Sequence, residues 1–488
     1  MAVSAPRLKR KSVKKILLLV DQKARDLASV LLVGEYLRDL GLNASYCNKG
    51  NMLAACERIK PDVLVLSCSE GQYSDLARYM APGCKIVLMT QEGACATKES
   101  TVLRHTMDGM GLDTYIKGLS RVYLWSEISK RWLLEAGVYP EKILRVFGTS
   151  RIDAYRQVGP RVSDVNRKIR VGIANRGFSI NPVTRQNPVL IIDRFRAKEG
   201  SHRAYIDKNR EWEDWIWHGM ASLRVTLDLV ELLAGSGRYE VVFRPDPYED
   251  YTSYQFLIDQ YPCLRINVDP LLCNFIDEID VLVTEFSTTG TEALLLKKPV
   301  ISTQKLIGPR LRDHNSLENH IDPAHLTFYW QPEDPAAFLK VLEDTVAGVI
   351  PYSPARGEAE QYLKQFYNWP TDGPSAAYLI AKDLASLCVE ETSSDAAELH
   401  RLEFREHPLI GRLMRRTHLP RSVVKRMLLR PLVFDVKGIF SAFRRHELET
   451  HMRMEFYHWQ KKDVSRVEAI FQNLKKKDWS ILSAAWAE

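Results

Sequence analysis

The chain alternates short runs of apolar residues with longer segments in which apolar residues recur every three or four positions. Short apolar runs bounded by polar turns are typical of strands buried on both faces, whereas the longer period is typical of amphipathic helices. In the segment 25–41, for example, Leu27, Leu31 and Tyr36 share one helical face. We predict strands at 14–22, 44–48, 62–68, 85–91, 121–126, 143–149, 169–175, 239–245, 263–267, 279–285 and 299–303.

The predicted strands form two series, separated by a polar connector at 156–168. Strands that alternate with helices predict an open, mostly parallel sheet with helices on both faces. We therefore predict an α/β fold with two Rossmann-like domains, at 14–155 and 168–392, which face each other across a cleft. A basic helical extension is predicted at 393–488. Helices are predicted at 25–41, 212–235, 334–348, 356–367 and 375–390.

One long segment, 179–213, shows neither period. We predict an irregular cleft loop there that carries acceptor or nucleotide contacts, because loops of this length in compact domains are usually functional. Trp212, Trp215 and Trp217 stand close together at helical spacing. Aromatic side chains at this spacing are more often core residues than sugar-stacking platforms, and we predict that these three are core.

Basic residues are concentrated in the last part of the chain. Residues 401–488 contain 19 Lys and Arg against 10 Asp and Glu, whereas the whole chain has a net charge of +7. Between 405 and 445 the basic residues are interleaved with large apolar ones, which favours contact with an anionic membrane surface. A helical appendage packed on the second domain is the alternative. Nucleic acid is not a predicted partner, because the segment has no recognisable motif and no basic–aromatic alternation.

Composition excludes several classes of protein. Of the 488 residues, 45% are hydrophobic and 26% are charged, as in ordinary soluble chains. No apolar run reaches the roughly 18 residues of a membrane span, and the basic start is not followed by a signal sequence, so we predict a cytoplasmic protein. The eight cysteines are scattered without a metal-binding pattern, so we predict reduced thiols and neither a bound metal nor a cofactor.

The segment TEFSTTGTEALLLKKPVIST, residues 284–303, gives the strongest chemical signal. Its small residues follow a predicted strand and begin a predicted helix, whose first N–H groups and dipole favour a bound phosphate. Gly290 tolerates a positive φ, and we expect the Glu292 carboxylate to accept hydrogen bonds from ribose hydroxyls. Simple capping is the alternative, but the carboxyl end of a central strand is where such sheets bind ligands. The predicted contacts are Ser287, Thr288, Thr289, Gly290, Thr291 and Glu292.

This strand and the residues S-T-T-G-T-E-A-L-L-L-K-K-P-V-I after it resemble the nucleotide-binding segment of GT-B glycosyltransferases. The closest resemblance is to bacterial surface-carbohydrate biosynthesis proteins related to CDP-glycerol glycerophosphotransferases. The segments 17–41, QEG at 91–93 and VFGTSRID at 146–153 resemble further motifs of that family, in the same order. The resemblance covers roughly residues 14–350. It implies an acceptor domain at 14–155 and a nucleotide-donor domain at 168–392.

One motif departs from the family. Its members commonly have an R-P-H-P-type segment, whereas this chain reads FRPDPYED at 243–250, with Asp246 in the position of the histidine. Asp246 does not supply the positive charge of a protonated imidazole, so the donor or the chemistry is expected to differ. Arg244 leaves the same strand toward the cleft and is expected to neutralise a departing diphosphate. A salt bridge to Asp246, Glu249 or Asp250 is the alternative.

The remaining candidates follow other predicted strands. Asn175 and Arg176 end the first strand of the second domain and are expected to meet the nucleotide, with a plain turn as the alternative. Glu92 is the preferred base that removes the proton of the acceptor hydroxyl, although capping of a loop is an alternative; Asp21 is a second candidate. Arg151 and Asp153 are expected to pair near the domain junction.

These inferences predict a metal-independent enzyme that transfers a sugar from a nucleotide-activated donor to a surface polysaccharide or lipid-linked acceptor. The helix N-terminus and Arg244 would carry the charge of the diphosphate. Such an enzyme would work in the cytoplasm, including the inner face of the cytoplasmic membrane. Three alternatives remain: a CDP-glycerol-type transferase of polyol phosphate, a nucleotide-sugar epimerase and a non-catalytic subunit of glycan assembly.

Overall fold

In a computed structural model, the strands of the protein form two sets. The structure describes residues 14–21, 23–48, 52–67, 83–91, 97–105, 119–158, 167–175, 177, 180–181, 202–247, 249–269, 271–285, 287–307, 323–369, 373–389 and 467–478. Each strand coincides with a predicted apolar run. The strands are β1 Lys15–Val20, β2 Asn43–Asn48, β3 Val63–Leu66, β4 Lys85–Met89, β5 Leu119–Leu124, β6 Leu144–Val146, β7 Ile169–Ala174, β8 Tyr239–Arg244, β9 Leu264–Ile266, β10 Val281–Thr284 and β11 Val300–Ser302.

The helices lie mainly between consecutive strands. They are α1 Lys23–Asp39, α2 Met52–Ile59, α3 Lys98–His105, α4 Glu127–Glu135, α5 Ser150–Asp153, α6 His202–Gly235, α7 Gln255–Gln260, α8 Leu272–Glu278, α9 Thr288–Leu295, α10 Gln304–Ile307, α11 Pro335–Val346, α12 Arg356–Tyr367 and α13 Ala376–Val389, followed by α14 at 467–478. Short 3-10 helices occur at Glu141–Ile143, Ala154–Gln157, Tyr251–Tyr254 and Pro323–Phe328.

The strands form two parallel sheets. The first has six strands in the order β2-β1-β3-β4-β5-β6, and the second has five in the order β11-β10-β7-β8-β9. Parallel neighbours require crossover connections, which the helices between the strands supply. Helices cover the sheets, so strands such as β3 and β10 are fully buried. The predicted fold class of two Rossmann-like domains is therefore confirmed.

The last helices cross back to the first domain. Helix α13 lies inside the range predicted for the second domain, yet its Asp383 accepts a hydrogen bond from Tyr123 of β5 at 2.8 Å. Near the C-terminal end of α13, Lys85 of β4 donates to the carbonyl of Leu387 at 2.6 Å. A lysine is favourable there because the last carbonyls of a helix lack intrahelical partners. In space, α13 thus belongs with the first sheet.

Of the predicted extension at 393–488, only α14 is among the described residues. It packs on α1 of the first domain, where the rings of Phe471 and Tyr36 are 4.9 Å apart. This part of the extension therefore packs on the first domain. The basic segment 405–445 lies outside the described residues.

Helix α6 corrects two further predictions. It begins at His202, so residues 202–213 are helical, although an irregular loop was predicted there. Trp217 on α6 is 64% exposed, so the prediction that it is a core residue was wrong. The side chains of Trp212 and Trp215 lie outside the described set. Within the described ranges, no helix is long and apolar enough to cross a membrane.

Candidate functional site

Each sheet has a switch point, where successive strands are added to opposite sides of the first one. In the first sheet β1 lies between β2 and β3, and in the second sheet β7 lies between β8 and β10. Parallel sheets bind ligands outside the carboxyl ends of their strands at such points, because the crossovers leave a crevice there. Asp21 follows β1 and Asn175 follows β7, so predicted site residues lie at both switch points.

The start of α9 lies at the second switch point, where the anion seat was predicted. Ser287 is the N-cap, with an extended backbone at φ −160° and ψ 151°, and its hydroxyl accepts a hydrogen bond from the N–H of Thr289 at 3.2 Å. The capping alternative is therefore realised. Capping and anion binding are compatible, because one hydroxyl satisfies only one of the N–H groups of the first turn. Thr288 and Thr289 are half-buried beside it.

Gly290 has a different role from the one predicted. It lies inside α9 and is not among the glycines with positive φ, so its tolerance of that conformation is not used. A Cβ at this position would come within 2.5 Å of the Tyr329 hydroxyl oxygen. That hydroxyl is 3.4 Å from the carbonyl oxygen of Ser287. Glycine is therefore required because the buried Tyr329 ring packs directly against the first turn.

Thr291 and Glu292 are turned into the protein. The Thr291 hydroxyl is 2.6 Å from that of Tyr367, which places it against α12. Both oxygens of the buried Glu292 carboxylate are engaged: Oε2 accepts from the Tyr155 hydroxyl at 2.6 Å, and Oε1 is 2.6 Å from Nη2 of Arg151. A ribose contact stays a prediction, and it would require Glu292 to exchange one of these partners.

Arg151 connects the two domains through Glu292. The predicted pair of Arg151 with Asp153 was wrong, because Asp153 instead accepts from the N–H groups of Ala376 and Ala377 at 3.1 and 2.8 Å. Burial opposes the charge of Arg151, but Glu292 raises its pKa overall. Since Arg151 follows β6 and Glu292 follows β10, the carboxyl edges of the two sheets face each other.

Arg25 brings a second guanidinium toward this junction. It pairs with Asp21 at 2.9 Å and with Asp26 at 2.5 Å, and its charge acts against that of Arg151. Asp21 is 4% exposed. The predicted second base is therefore held at the first switch point by an arginine one helical turn away. Glu92, the preferred base, lies outside the described residues.

Arg244 ends β8 and is buried. It donates to Oδ1 of Asn267 at 2.6 Å, and its guanidinium lies 5.3 Å from the centroid of the Phe275 ring. The alternative of a salt bridge is not what the structure shows, because no carboxylate among the described residues is within ion-pair distance. Burial lowers the pKa of Arg244; the charge of Asp269 opposes this effect, and the nearby charge of Arg151 adds to it. An arginine keeps its proton even so, and its charge favours an anion at this edge.

Glu249 organises the ends of β7 and β8. It accepts four hydrogen bonds: from Asn175 at 2.9 Å, Tyr254 at 2.6 Å, and the backbone N–H groups of Gly177 at 2.6 Å and Asp246 at 3.1 Å. Burial raises the pKa of Glu249 to about 7, whereas four donors favour the carboxylate. Asn175 and Asp246 therefore lie at the predicted edge, fixed by a residue that sequence analysis treated only as a possible partner of Arg244. Arg176 lies outside the described residues.

Sequence analysis missed a histidine–carboxylate pair at the same edge. Nε2 of His218, on α6, hydrogen-bonds Oε1 of Glu285, and the Ser222 hydroxyl donates to Oε2 of Glu285 at 3.0 Å. The signal for Glu285 was its position directly before the S-T-T-G turn. The sequence around His218 contains no signal for this contact, because the helical pattern there suggested core packing. His218 is also 67 residues away from Glu285 along the chain.

No family model matches the chain, and no curated protein matches it in sequence. Its structure is similar to the wall teichoic acid polymerase TagF, with a TM-score of 0.49 and 11% identity over 80% of this chain and 91% of that one. It is also similar to a UDP-GlcNAc 2-epimerase from Neisseria meningitidis bound to UDP-GlcNAc, with a TM-score of 0.42 and 10% identity over 76% and 100%.

A third similar structure is S. aureus MnaA with UDP, with a TM-score of 0.38 and 11% identity over 69% of this chain and 97% of that one. These likenesses concern the fold. Substrate and reaction have to be argued from the residues of this chain.

Proposed function

We propose that the protein is a GT-B transferase that moves a sugar, or a polyol phosphate, from a nucleotide-activated donor to a surface polysaccharide or lipid-linked acceptor. The observation that carries the proposal is the second switch point, where the capped start of α9 and the buried Arg244 share one edge of the sheet. A helix N-terminus and a guanidinium without a carboxylate partner in the described residues leave this edge positive. A diphosphate matches that charge.

In this proposal, the first domain binds the acceptor. Asp21 follows β1 at the switch point of that domain, and the contact of Arg151 with Glu292 joins the carboxyl edges of the two sheets. A carboxylate there would take the proton of the acceptor hydroxyl as the bond to the departing nucleotide breaks. Glu92 follows β4 along the chain and remains the other candidate for this role.

Nucleotide binding is the first test. Thermal unfolding of the full chain is followed with CDP-glycerol, UDP-N-acetylglucosamine and nucleoside diphosphates, each at about 1 mM. A ligand present at 100 times its Kd stabilises the folded state by about 2.7 kcal/mol, so the Tm should rise with at least one of them. No rise with any nucleotide would contradict the proposal.

A pair of arginine variants locates the site. Arg244→Met should abolish the rise in Tm, because it removes a cation from the donor edge. Arg170→Met is the matched control: Arg170 lies near the start of β7, at the opposite edge of the same sheet, and pairs with Glu240 at 2.6 Å. The control should keep the response to the nucleotide.

Product analysis then separates a transferase from an epimerase. The protein is incubated with the binding nucleotide in the presence and absence of a membrane-lipid extract as a source of acceptor. A transferase releases free nucleotide only when an acceptor is present, whereas an epimerase converts the nucleotide sugar without one. Conversion in the absence of acceptor would reject the proposed transfer.

We also propose that residues 405–445 bring the protein to an anionic membrane surface, where a lipid-linked acceptor is found. The structure changes how this is tested, because removing everything after residue 392 would also remove α14 and its contacts with α1. Instead, Arg415, Arg416, Arg444 and Arg445 are changed to Gln in the full chain. Recovery on anionic vesicles should fall several-fold, since each basic residue near the headgroups contributes about 1 kcal/mol. Equal recovery would reject the membrane partner.

A further inference from the structure

Two polar side chains are buried without a protein partner at the carboxyl edge of the first sheet. Ser67 follows β3 directly, Gln91 lies two residues after β4, and each is 1% exposed. Among the described residues, neither the Ser67 hydroxyl nor the two polar atoms of the Gln91 amide have a hydrogen-bond partner. Most buried polar side-chain atoms in proteins are hydrogen-bonded, so two such residues at one edge require an explanation.

The two residues lie side by side at the first switch point. The N–H of Gln91 donates to the carbonyl of Ser67 at 3.2 Å, which joins the chain segments after β3 and β4. Strand β3 also pairs with β1, and Asp21 follows β1 directly. Adjacent strands are roughly 4.8 Å apart, so the ends of β1, β3 and β4 together span about 10 Å. The three residues therefore form a row about as wide as a sugar ring with its hydroxyl groups.

Strand alternation places Ser67 on the face of the sheet that packs toward the second domain. Val63 and Val65 belong to a core cluster that also contains Leu27 of α1 and Ala293 of α9. Because successive side chains of a strand point to opposite faces, Ser67 continues the row of Val63 and Val65 at the edge. The buried hydroxyl is thus on the side of the first sheet where the proposed donor edge lies.

The surroundings of this row carry balanced charges. Arg25 pairs with Asp21 at 2.9 Å and with Asp26 at 2.5 Å. Ser67 and Gln91 themselves are neutral side chains. A phosphate or a carboxylate binds most strongly to charged donors. Two neutral side chains beside paired charges therefore suit an uncharged polar group.

An amide and a hydroxyl complement the hydroxyl groups of a sugar or polyol. The Gln91 amide has two N–H donors and an oxygen acceptor, and the Ser67 hydroxyl both donates and accepts. A sugar hydroxyl also does both, so neighbouring hydroxyls of one ring or polyol chain can bond both residues. A site made of buried polar groups strongly rejects a ligand that lacks the matching hydroxyl, because its own groups are then left unpaired.

We propose that Ser67 and Gln91 form the acceptor subsite of the first domain and bind neighbouring hydroxyl groups of an uncharged sugar or polyol unit. The inference rests on the proposed function, because it takes the first domain as the acceptor domain. Neither side chain removes a proton: both are acceptor-binding residues, which hold the acceptor in the row that Asp21 begins. The acceptor then supplies the hydrogen bonds that no residue in the described part of the chain makes with them.

The stability of two variants gives a test that needs no acceptor. Gln91→Met keeps the length of the side chain and removes its polar atoms, and Ser67→Ala removes the hydroxyl. If these groups serve a ligand, both variants should unfold in urea at a midpoint no lower than that of the wild type. Ser129→Ala is the matched control, since Ser129 is 4% exposed and its hydroxyl is 3.0 Å from that of Ser126. Its midpoint should fall, because a buried hydrogen bond is lost.

Transfer kinetics measure the binding of the acceptor. Release of nucleotide from CDP-glycerol and from UDP-N-acetylglucosamine is followed with increasing amounts of a membrane-lipid extract, and with glycerol and N-acetylglucosamine as soluble probes. The KM for the acceptor should rise about tenfold in Gln91→Met and by a smaller factor in Ser67→Ala, because hydrogen bonds to the acceptor are lost. The Kd for the nucleotide, measured by calorimetry, should stay at the wild-type value in both. Ser129→Ala should keep both constants.

The outcomes separate the two proposals. A wild-type acceptor KM in Gln91→Met, or a urea midpoint that falls as far as that of Ser129→Ala, overturns the acceptor subsite and leaves the proposed function intact. A wild-type KM in Ser67→Ala alone removes Ser67 from the subsite. A wild type that binds no nucleotide, or that transfers to neither the extract nor the soluble probes, contradicts the proposed function and the acceptor subsite with it.

Discussion

Two buried carboxylates, Asp478 and Glu249, lie in networks that balance charge in different ways. Asp478 of α14 accepts from Tyr36 at 2.6 Å and from the N–H of Ser375 at 2.8 Å. Arg156 lies 4.0 Å from both Asp478 and Asp153. We call this group the C-terminal clamp: Tyr36, Asp153, Arg156, Ser375 and Asp478. By contrast, the four donors to Glu249 come from neutral groups, two of them backbone N–H groups.

The difference reflects what each network holds. The clamp joins parts of the chain that are up to 442 residues apart, and it surrounds one guanidinium with two carboxylates. The Glu249 network joins short segments at the ends of β7 and β8, next to Arg244, which has no carboxylate partner among the described residues. A network that closes the fold can neutralise its charges internally, whereas a ligand edge keeps a cation for the ligand. The clamp should therefore matter most for stability.

Asp153→Ala tests this expectation and should have the largest effect. It removes the acceptor for the first N–H groups of α13 and leaves the charge of Arg156 less balanced in a buried site. Breaking a buried pair by removing one partner costs about 3–5 kcal/mol, so unfolding in urea should shift by that amount. Glu240→Ala, in the half-exposed pair with Arg170, is the control and should cost under about 1 kcal/mol. A similar loss of unfolding free energy in both variants would show that the clamp contributes no more to stability than an exposed ion pair.

The pH dependence of stability should distinguish the two networks next. Burial raises the pKa of both Glu249 and Asp153 to about 7. An acid whose pKa is higher in the folded state binds its proton more tightly there, so its contribution to stability is greatest at acid pH and is lost as the pH rises toward 7. From these two groups together, the free energy of unfolding should fall by on the order of 5 kcal/mol between pH 5 and 8, about half of it from each group.

Single variants separate the contributions of Glu249 and Asp153 to this loss of stability. Glu249→Gln should remove part of the pH slope and also weaken nucleotide binding, because Asn175 and the backbone at Asp246 lose their common acceptor. Asp153→Asn should remove another part of the slope and leave nucleotide binding unchanged. Urea unfolding at pH 5, 6, 7 and 8 measures both. Stability that does not change with pH over this range would show that the hydrogen-bond donors, rather than burial, determine both pKa values.

The strands were predictable and the clamp was not, for a physical reason. A parallel strand buried on both faces must be a short apolar run, and local sequence such as that of β3 or β10 shows this directly. The contact of Tyr36 with Asp478 involves two ordinary residues without any local pattern. The crossing of α13 and α14 to the first domain therefore had to come from the structure.

The candidate site was predicted only in part, for a related reason. The turn at 287–289 has a local signature, since small residues between a strand and a helix indicate a helix start at a sheet edge. The partners of those residues come from elsewhere: Arg151 for Glu292, Asn267 for Arg244 and His218 for Glu285. Sequence analysis therefore located the edge, while the roles of the individual side chains depended on contacts between distant segments.

Gly290→Ala should have a smaller effect on stability, about 1–2 kcal/mol, because overpacking against a buried ring forces local shifts. It should also weaken nucleotide binding, since the first turn of α9 has to move away from Tyr329. The double variant with Tyr329→Phe removes the oxygen that lies 2.5 Å from the added Cβ. It should recover part of the lost stability, as urea unfolding would show. An unchanged nucleotide Kd in a folded Gly290→Ala variant would place the ligand away from this turn.

The smallest effect is expected at the edge of the clamp. Lys475 of α14 pairs with Asp39 of α1 and lies 5.8 Å from the centroid of the Phe471 ring, but its side chain is 32% exposed. Exposed ion pairs and cation–ring contacts each contribute under about 1 kcal/mol, so Lys475→Met should change the free energy of unfolding by no more than that. Asp478→Asn, three residues later and buried, should cost more, because an amide nitrogen would face two donors. If Lys475→Met lowered the free energy of unfolding more than Asp478→Asn, the exposed contacts with α1 would contribute more to the packing of α14 than the buried carboxylate does.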